Sequence, residues 1–254
     1  MEVKSKILLL NAKKKQYTLT VSTNPASATV QLYYDGSWHT ETSATVDEGT
    51  IIQYNVYQST YGTTTGSITM NANKTLTCTG TYSTSTTDVS WSRPNLSSNG
   101  SVGGSSCACY ADTAGSSNPA YKAFDGSNAT ADYWISTTSA FPHYIVFYTP
   151  TAIKVSSLTI YNRAQGYYAP KDYTLYASNS NGSWTSIASG TNTVSGGGSS
   201  WSIYPSTNSY YKYFKLNVTS HINGSSTYVA IGEIYFSAVY QQTSYTYYWN
   251  TSIT

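Results

Sequence analysis

Between Asn118 and Trp134 the chain reads NPAYKAFDGSNATADYW, which concentrates oxygen donors between aromatic anchors. Asp125 contributes a carboxylate, Gly126 a backbone free of the usual φ restriction, and Thr130 a further oxygen within a short turn. Hard oxygen ligands grouped this closely suit calcium, which takes about six to eight of them. A second group lies in YNRAQGYYAP, residues 161–170, where Arg163 offers a planar fork of donors and Tyr167 and Tyr168 follow in the same loop. A guanidinium beside exposed rings can hold a ligand by hydrogen bonds on one side and by apolar contact on the other.

Catalytic patterns find little support. Glycoside hydrolysis requires two carboxylates facing the scissile bond, and the 11 acidic residues nominate no such pair. No Gly-x-Ser-x-Gly elbow and no GxxxxGK[ST] phosphate loop occurs. His39, His143 and His221 lack a Ser or Cys context. His143, at the entrance of the strand-like run PHYIVFY (142–148), is kept as a ligand candidate, whereas His39 and His221 read as exposed loop residues and Trp134 as core. Cys78, Cys107 and Cys109 are too few for a disulfide framework and read as free, small, buried thiols.

Composition narrows the partners. The 27 tyrosines outnumber the 13 basic and 11 acidic residues together, and the formal charge is only +2. Tyrosine offers an apolar face and a hydroxyl tip, which suits half-buried strands and wet recognition surfaces. With no basic stripe, a nucleic-acid partner has no electrostatic footprint. The apolar run Ile7–Leu10 falls short of the ~7–15 residues of a signal-peptide core and the ~20 of a membrane span, so neither export by a cleaved signal nor membrane insertion is expected.

The elements that must position these residues are strands. YTLTVS (17–22), ATVQLYY (28–34), TIIQYNVY (50–57) and KTLTCTGTY (74–82) alternate with period two, and Asn24-Pro25, Asp35-Gly36, Glu48-Gly49 and Tyr61-Gly62 mark turns between them. The small polar run over 83–87 reads as a linker. Beyond it YIVFY, VSSLTIY, DYTLYAS, YYKYFKLNV and STYVAIGEIYF again read as strands, with SGGGSSW (195–201) and HINGSS (221–226) as loops. No convincing 3.6-residue period appears. The expectation is an all-β chain: an N-terminal segment over 1–16, a small antiparallel β-sandwich over 17–82, the linker, a larger jelly-roll-like sandwich over 88–238, and an aromatic tail over 239–254.

Taken in order, the AFDG loop, PHYIVFY, TIYNRAQG (159–166), KDYTLYAS (171–178), NGSWTSIA (181–188) and GEIYF (232–236) resemble the discoidin or F5/8 type C family, including the family 32 carbohydrate-binding modules. That resemblance implies a galactose-binding-like fold and a cell-surface glycan as partner. It implies a structural calcium lined by Asp125, Ser127, Thr130 and Glu233, the acid of the final strand's EI pair. It also implies sugar contact by Arg163, with Tyr167, Tyr168 and Tyr228 available for stacking and His143 nearby. In the first domain, TVSTNPASATVQLYYDG followed by VDEGT resembles the PEGA or Ig-like spacer modules.

Three functional classes stay open. The leading one is a non-enzymatic adhesion protein, a phage fibre or decoration protein on the virion that is assembled inside its host and meets glycans once released. The bacterial cell surface or secretion is the alternative location. The second class is a purely structural virion or surface protein, and the third an accessory carbohydrate-binding module of a secreted carbohydrate-active enzyme. The tail TSYTYYWNTSIT (243–254), rich in aromatics, is expected to pack on a partner chain, including another virion protein or a second copy in a homo-oligomer, or on the first domain.

Overall fold

The computed structural model describes residues 13–137, 140–223 and 227–254. The apolar run Ile7–Leu10, most of the segment 1–16 and part of the 221–226 loop lie outside the described residues. The chain divides into two compact units. One comprises 1–85 together with 243–254, the other 86–242.

The first unit is a two-sheet sandwich. Its strands are β1 (Gln16–Asn24), β2 (Thr29–Tyr34), β3 (Ser37–His39), β4 (Ser43–Asp47), β5 (Ile51–Gln58), β6 (Gly62–Thr69) and the first part of β7 (Lys74–Trp91). One sheet runs β3-β2-β5-β6; in the other β4 pairs β1 antiparallel and β1 pairs β7 in parallel. The alternation read from the sequence explains the packing: Leu19, Val21, Leu76 and Cys78 face Val30, Leu32, Ile52 and Val56 across a dry core.

The division between the units falls within residues 83–87, between Ser85 and Thr86. That stretch is extended and lies within β7, because Ser and Thr accept extended backbone and a strand in a sheet needs no apolar face where both sides meet water. The tail continues the last strand, and within the first unit Thr254 and Thr75 exchange backbone hydrogen bonds in both directions. Trp249 Nε1 donates to Gly62 O at 3.0 Å, and Tyr61 stands edge-on to Tyr247 at 5.7 Å. The aromatic tail therefore packs on the first unit.

The second unit is a larger sandwich, with β8 (Ala108–Ala111), β9 (Trp134–Ile135), β10 (His143–Asn162), β11 (Ala169–Pro170), β12 (Asp172–Ser178), β13 (Thr185–Thr191), β14 (Ser200–Ile203), β15 (Tyr211–Val218), β16 (His221–Ile222) and β17 (Ala230–Ile253). Strand β10 organises it. Over His143–Tyr148 it pairs with β15 and β8; a register shift follows, and over Ile153–Asn162 it pairs with β17 and β14. An irregularity of this kind bends a strand and lets it serve both layers of a sandwich. Between the layers lie Phe124, Trp134, Phe147, Leu158, Ile160, Leu175, Leu216 and Ile234. The Ser- and Gly-rich stretch after Ser97 is ordered, held by Cys109 N–H to Asn99 O and by β8.

Candidate functional site

Two loops meet at one end of the second unit. The first runs from the short 3-10 turn Ala120–Ala123 to β9, and the buried rings of Phe124 and Trp134 pin its ends. Phe124 packs on Phe147 at 5.1 Å, and Trp134 Nε1 donates to Thr113 O at 3.0 Å. Between those anchors Gly126 adopts φ +85, and a Cβ there would collide with the Asn95 side chain. Only glycine meets both conditions.

The second loop leaves the end of β10. Asn162 is fully buried; its Nδ2 donates to Val194 O at 2.8 Å and Gly196 O at 3.2 Å, and its Oδ1 accepts Trp201 Nε1. That amide fixes the strand end from which Arg163 projects. The chain then turns at Gly166, whose N–H donates to Arg163 O at 2.8 Å.

Arg163 joins the loops. Its guanidinium lies over the Tyr133 ring, 4.0 Å from the centroid, and its Nε donates to Gln165 Oε1 at 2.6 Å. Gln165 Nε2 in turn donates to Thr130 O at 2.9 Å. Among the described residues, Nη1 and Nη2 of Arg163 make no hydrogen bond with the chain, so a planar fork is held in place with its terminal donors available. Beside it, Tyr167 is 59% exposed. Tyr168 sits edge-on to Tyr228 at 5.8 Å and to His221 at 5.7 Å. Its φ of +64 is unusual for a bulky residue, and such backbone is held only where the surroundings determine it; here its carbonyl accepts Ala230 N–H at 2.9 Å.

His143 departs from its expected role. It is completely buried, with Nδ1 2.8 Å from Asp112 Oδ2 and Nε2 2.9 Å from Thr227 O. A ring with both nitrogens engaged inside the protein clamps strand to loop and offers nothing to a ligand. His39 and His221 are likewise not bare surface residues: His39 stacks on Tyr34 at 4.3 Å, and His221 is half-buried against Tyr168 and Phe141. Cys78 and Cys109 are buried thiols, and burial pushes Cys109 up to about 12.

The expected calcium ligands occupy a different arrangement from a cation cage. Glu233 is fully buried; its Oε1 is 2.5 Å from Arg93 Nη2, and its Oε2 accepts Gly126 N–H at 2.9 Å. Arg93 also donates through Nη1 to Phe124 O and to Pro94 O. Asp125 Oδ1 accepts Ser127 N–H at 3.0 Å, and its Oδ2 lies 3.3 Å from Lys122 Nζ. Ser127 Oγ turns to Asp132 Oδ2 at 2.8 Å, and Lys122 Nζ reaches Asp132 Oδ1 at 2.6 Å. Of Thr130, it is the backbone carbonyl that is engaged, with Gln165. Every carboxylate oxygen of Asp125 and Glu233 thus already meets a proton donor, and two side-chain cations, Arg93 and Lys122, balance their charge. No group of three or more His, Cys, Asp or Glu side chains able to hold a metal occurs among the described residues. This donor set does not fit calcium.

Electrostatics follow from that pairing. Burial pushes the Glu233 carboxyl up to about 7, against the opposing pull of Arg93 and the Gly126 N–H. The same burial lowers the Arg93 guanidinium. Nearer the surface, the bond to Lys122 holds the Asp132 carboxyl below the usual carboxylate range.

Arg93, Lys122, Tyr133 and Gln165 were not singled out from the sequence. The signal for Arg93 is compositional: in a chain with so few charges, an Arg amid apolar and turn residues in WSRPNL calls for a buried partner.

The fold is that of an all-β, galactose-binding-like jelly roll preceded by a smaller sandwich. The chain belongs to the F5/8 type C domain family, whose model matches residues 102–234, just over half of its length. No curated protein matches it. Among solved structures, it is similar to the family 32 carbohydrate-binding module of C. perfringens NanJ in complex with galactose, at 21% identity over 54% of this chain and 93% of that one, with a TM-score of 0.44. CpGH89CBM32-5 from Clostridium perfringens, in complex with GalNAc-β-1,3-galactose, is 15% identical over 52% and 94%, with a TM-score of 0.46. The chitosan-binding module 1 of a chitosanase/glucanase from Paenibacillus sp. IK-5 is 22% identical over 56% and 97%, with a TM-score of 0.42.

Proposed function

We propose that this protein is a non-enzymatic carbohydrate-binding protein whose second unit takes a cell-surface glycan at the Arg163 loop. The observation that carries the reading is the Arg163 fork, braced by Tyr133 and Gln165 with its terminal nitrogens unengaged among the described residues. A vicinal pair of sugar hydroxyls or a carboxylate accepts two parallel N–H donors, and the exposed Tyr167 ring suits the C–H face of a pyranose. Tyr168 packs on Tyr167 at 6.2 Å and edge-on to Tyr228 at 5.8 Å; Glu233, buried and paired with Arg93, has no part in chemistry on a substrate. A glycan array probed with the full chain tests the reading, and Arg163→Ala must weaken binding to at least one glycan that the unaltered chain recognises.

In place of calcium, Arg93 and Lys122 neutralise the Asp125 loop, and the loop's rigidity comes from these intramolecular pairs. The first unit serves as a spacer of the PEGA or Ig-like kind. The setting we favour is host-surface attachment by a virion fibre or decoration protein. An accessory module of a secreted carbohydrate-active enzyme has equal support from the site alone, and neighbouring reading frames for capsid or tail proteins, or for a glycosidase, separate the two.

A further inference from the structure

The outer face of the β3-β2-β5-β6 sheet in the first unit has an unusual composition. Directly opposed residues of an antiparallel ladder share a face, and here Tyr33 opposes both Trp38 and Gln53, while Gln31 opposes Asn55. On the neighbouring strand Asn55 opposes Thr65 and Gln53 opposes Ser67. The other face of the same strands supplies the core through Val30, Leu32, Ile52 and Val56. The outer rows therefore present aromatic rings, carboxamides and hydroxyls, and none of the opposed pairs that build them contains an acid or a base.

Three observations mark this face as a site. Trp38 is 49% and Ile51 59% exposed, and with Gln53, Thr65 and Ser67 they border a cleft of about 440 Å³, within the range of ligand pockets. Trp38 sits beside Tyr33 with ring centroids 5.4 Å apart and is carried on a three-residue edge strand. Asn55 donates through Nδ2 to Gln31 Oε1 at 3.0 Å, which ties the carboxamides of adjacent strands into one polar row.

We infer that this face is a second carbohydrate-binding surface, distinct from the Arg163 loop, and that its ligand is an uncharged oligosaccharide chain. Rings receive the C–H faces of sugars, while carboxamides and hydroxyls exchange hydrogen bonds with neutral hydroxyls in both directions. The lack of charge across the face matches a neutral chain and offers no counter-ion to an acidic one. A protein partner would be expected to find an apolar centre ringed by polar residues; here carboxamides and hydroxyls run through the middle of the sheet.

The test uses the full chain carrying Arg163→Ala, so that the loop site is silent, titrated calorimetrically with soluble neutral hexasaccharides built from glucose, mannose, xylose, galactose and N-acetylglucosamine. At least one is expected to bind, and Trp38→Ala added to that background is expected to weaken it at least tenfold. Gln53→Lys, an exposed change that places a charge on the face, is expected to do the same with the thermal midpoint preserved, which covers the case of a Trp38 variant that fails to fold. Binding of none of the five, retention of affinity in both variants, or binding of acidic glycans alone would overturn the inference. So would self-association of the chain that Trp38→Ala abolishes without any sugar being bound. The function proposed for the second unit stands or falls separately, on whether Arg163→Ala alone reduces binding by the otherwise unaltered chain.

Discussion

Replacing Arg93 by Met removes the cation beneath the Asp125 loop and keeps much of the side chain's length. The guanidinium is 3% exposed and its partner Glu233 fully buried, with 2.5 Å between Nη2 and Oε1. Where the carboxylate left behind is ionised, breaking a buried pair of this kind costs about 3–5 kcal/mol, because its charge is left without compensation. The cost has a specific pH signature. Burial raises the Glu233 carboxyl from its ordinary 4.5 to about 7, so between those values the native chain holds a proton that the unfolded chain has already released. Stability contributed by this group is therefore fully present below about pH 4.5 and is lost as pH rises to about 7, at up to about 1.4 kcal/mol per pH unit. In Arg93→Met the opposing pull of the guanidinium is gone, so the carboxyl rises further. The difference in unfolding free energy between wild type and variant is expected to be flat below about pH 7. There it is set by the lost bonds to the Phe124 and Pro94 carbonyls at about 1–3 kcal/mol, and above pH 7 it grows by up to about 1.4 kcal/mol per pH unit. Urea denaturation from pH 5 to 9 reads this directly. A difference curve that stays flat to pH 9, or one that widens toward low pH, would refute the account of Glu233.

Chelation is expected to leave the thermal midpoint of the full chain unchanged, since carboxylates already paired with Arg93 and Lys122 offer calcium no cage from which to add mass-action stabilisation; a fall on adding EDTA, reversed by calcium, would restore the calcium expectation. Arg163→Ala should weaken glycan binding by about 1.5–3 kcal/mol, the scale of hydrogen bonds to a charged group, with the fold intact; calorimetry and a melting curve on the same sample separate the two effects. Asn162→Ala leaves Trp201 Nε1 and the Val194 and Gly196 carbonyls without their partner and should cost about 2–5 kcal/mol by denaturation, with glycan affinity falling as the Arg163 loop loosens. Truncation after Gln242 removes the strand that covers Tyr61 and Gly62, and should lower the melting of the first unit while leaving that of the second in place, resolved by calorimetry as two transitions.

Much of this protein is written locally. Leu19 and Val21, Val30 and Leu32, Ile52 and Val56 alternate because a strand turns successive side chains to opposite faces, so the sandwich strands follow from spacing alone. The loop between Phe124 and Trp134 and the exposed position of Tyr167 are local as well: two large apolar anchors enclose polar residues in one case, and a polar, Gly-containing turn separates two strands in the other. What the sequence left open is which distant groups meet. Arg93 and Glu233 are 140 positions apart, and their contact depends on β17 returning beside the Asp125 loop; a calcium expectation resting on the acids alone could not count the guanidinium that reaches them. Tyr133 beneath Arg163, His143 clamped between Asp112 and Thr227, and the tail laid against Tyr61 are decided in the same way. Strand periodicity is a property of neighbours along the chain, whereas charge compensation and ring packing are properties of neighbours in space, and only the tertiary structure makes those neighbours.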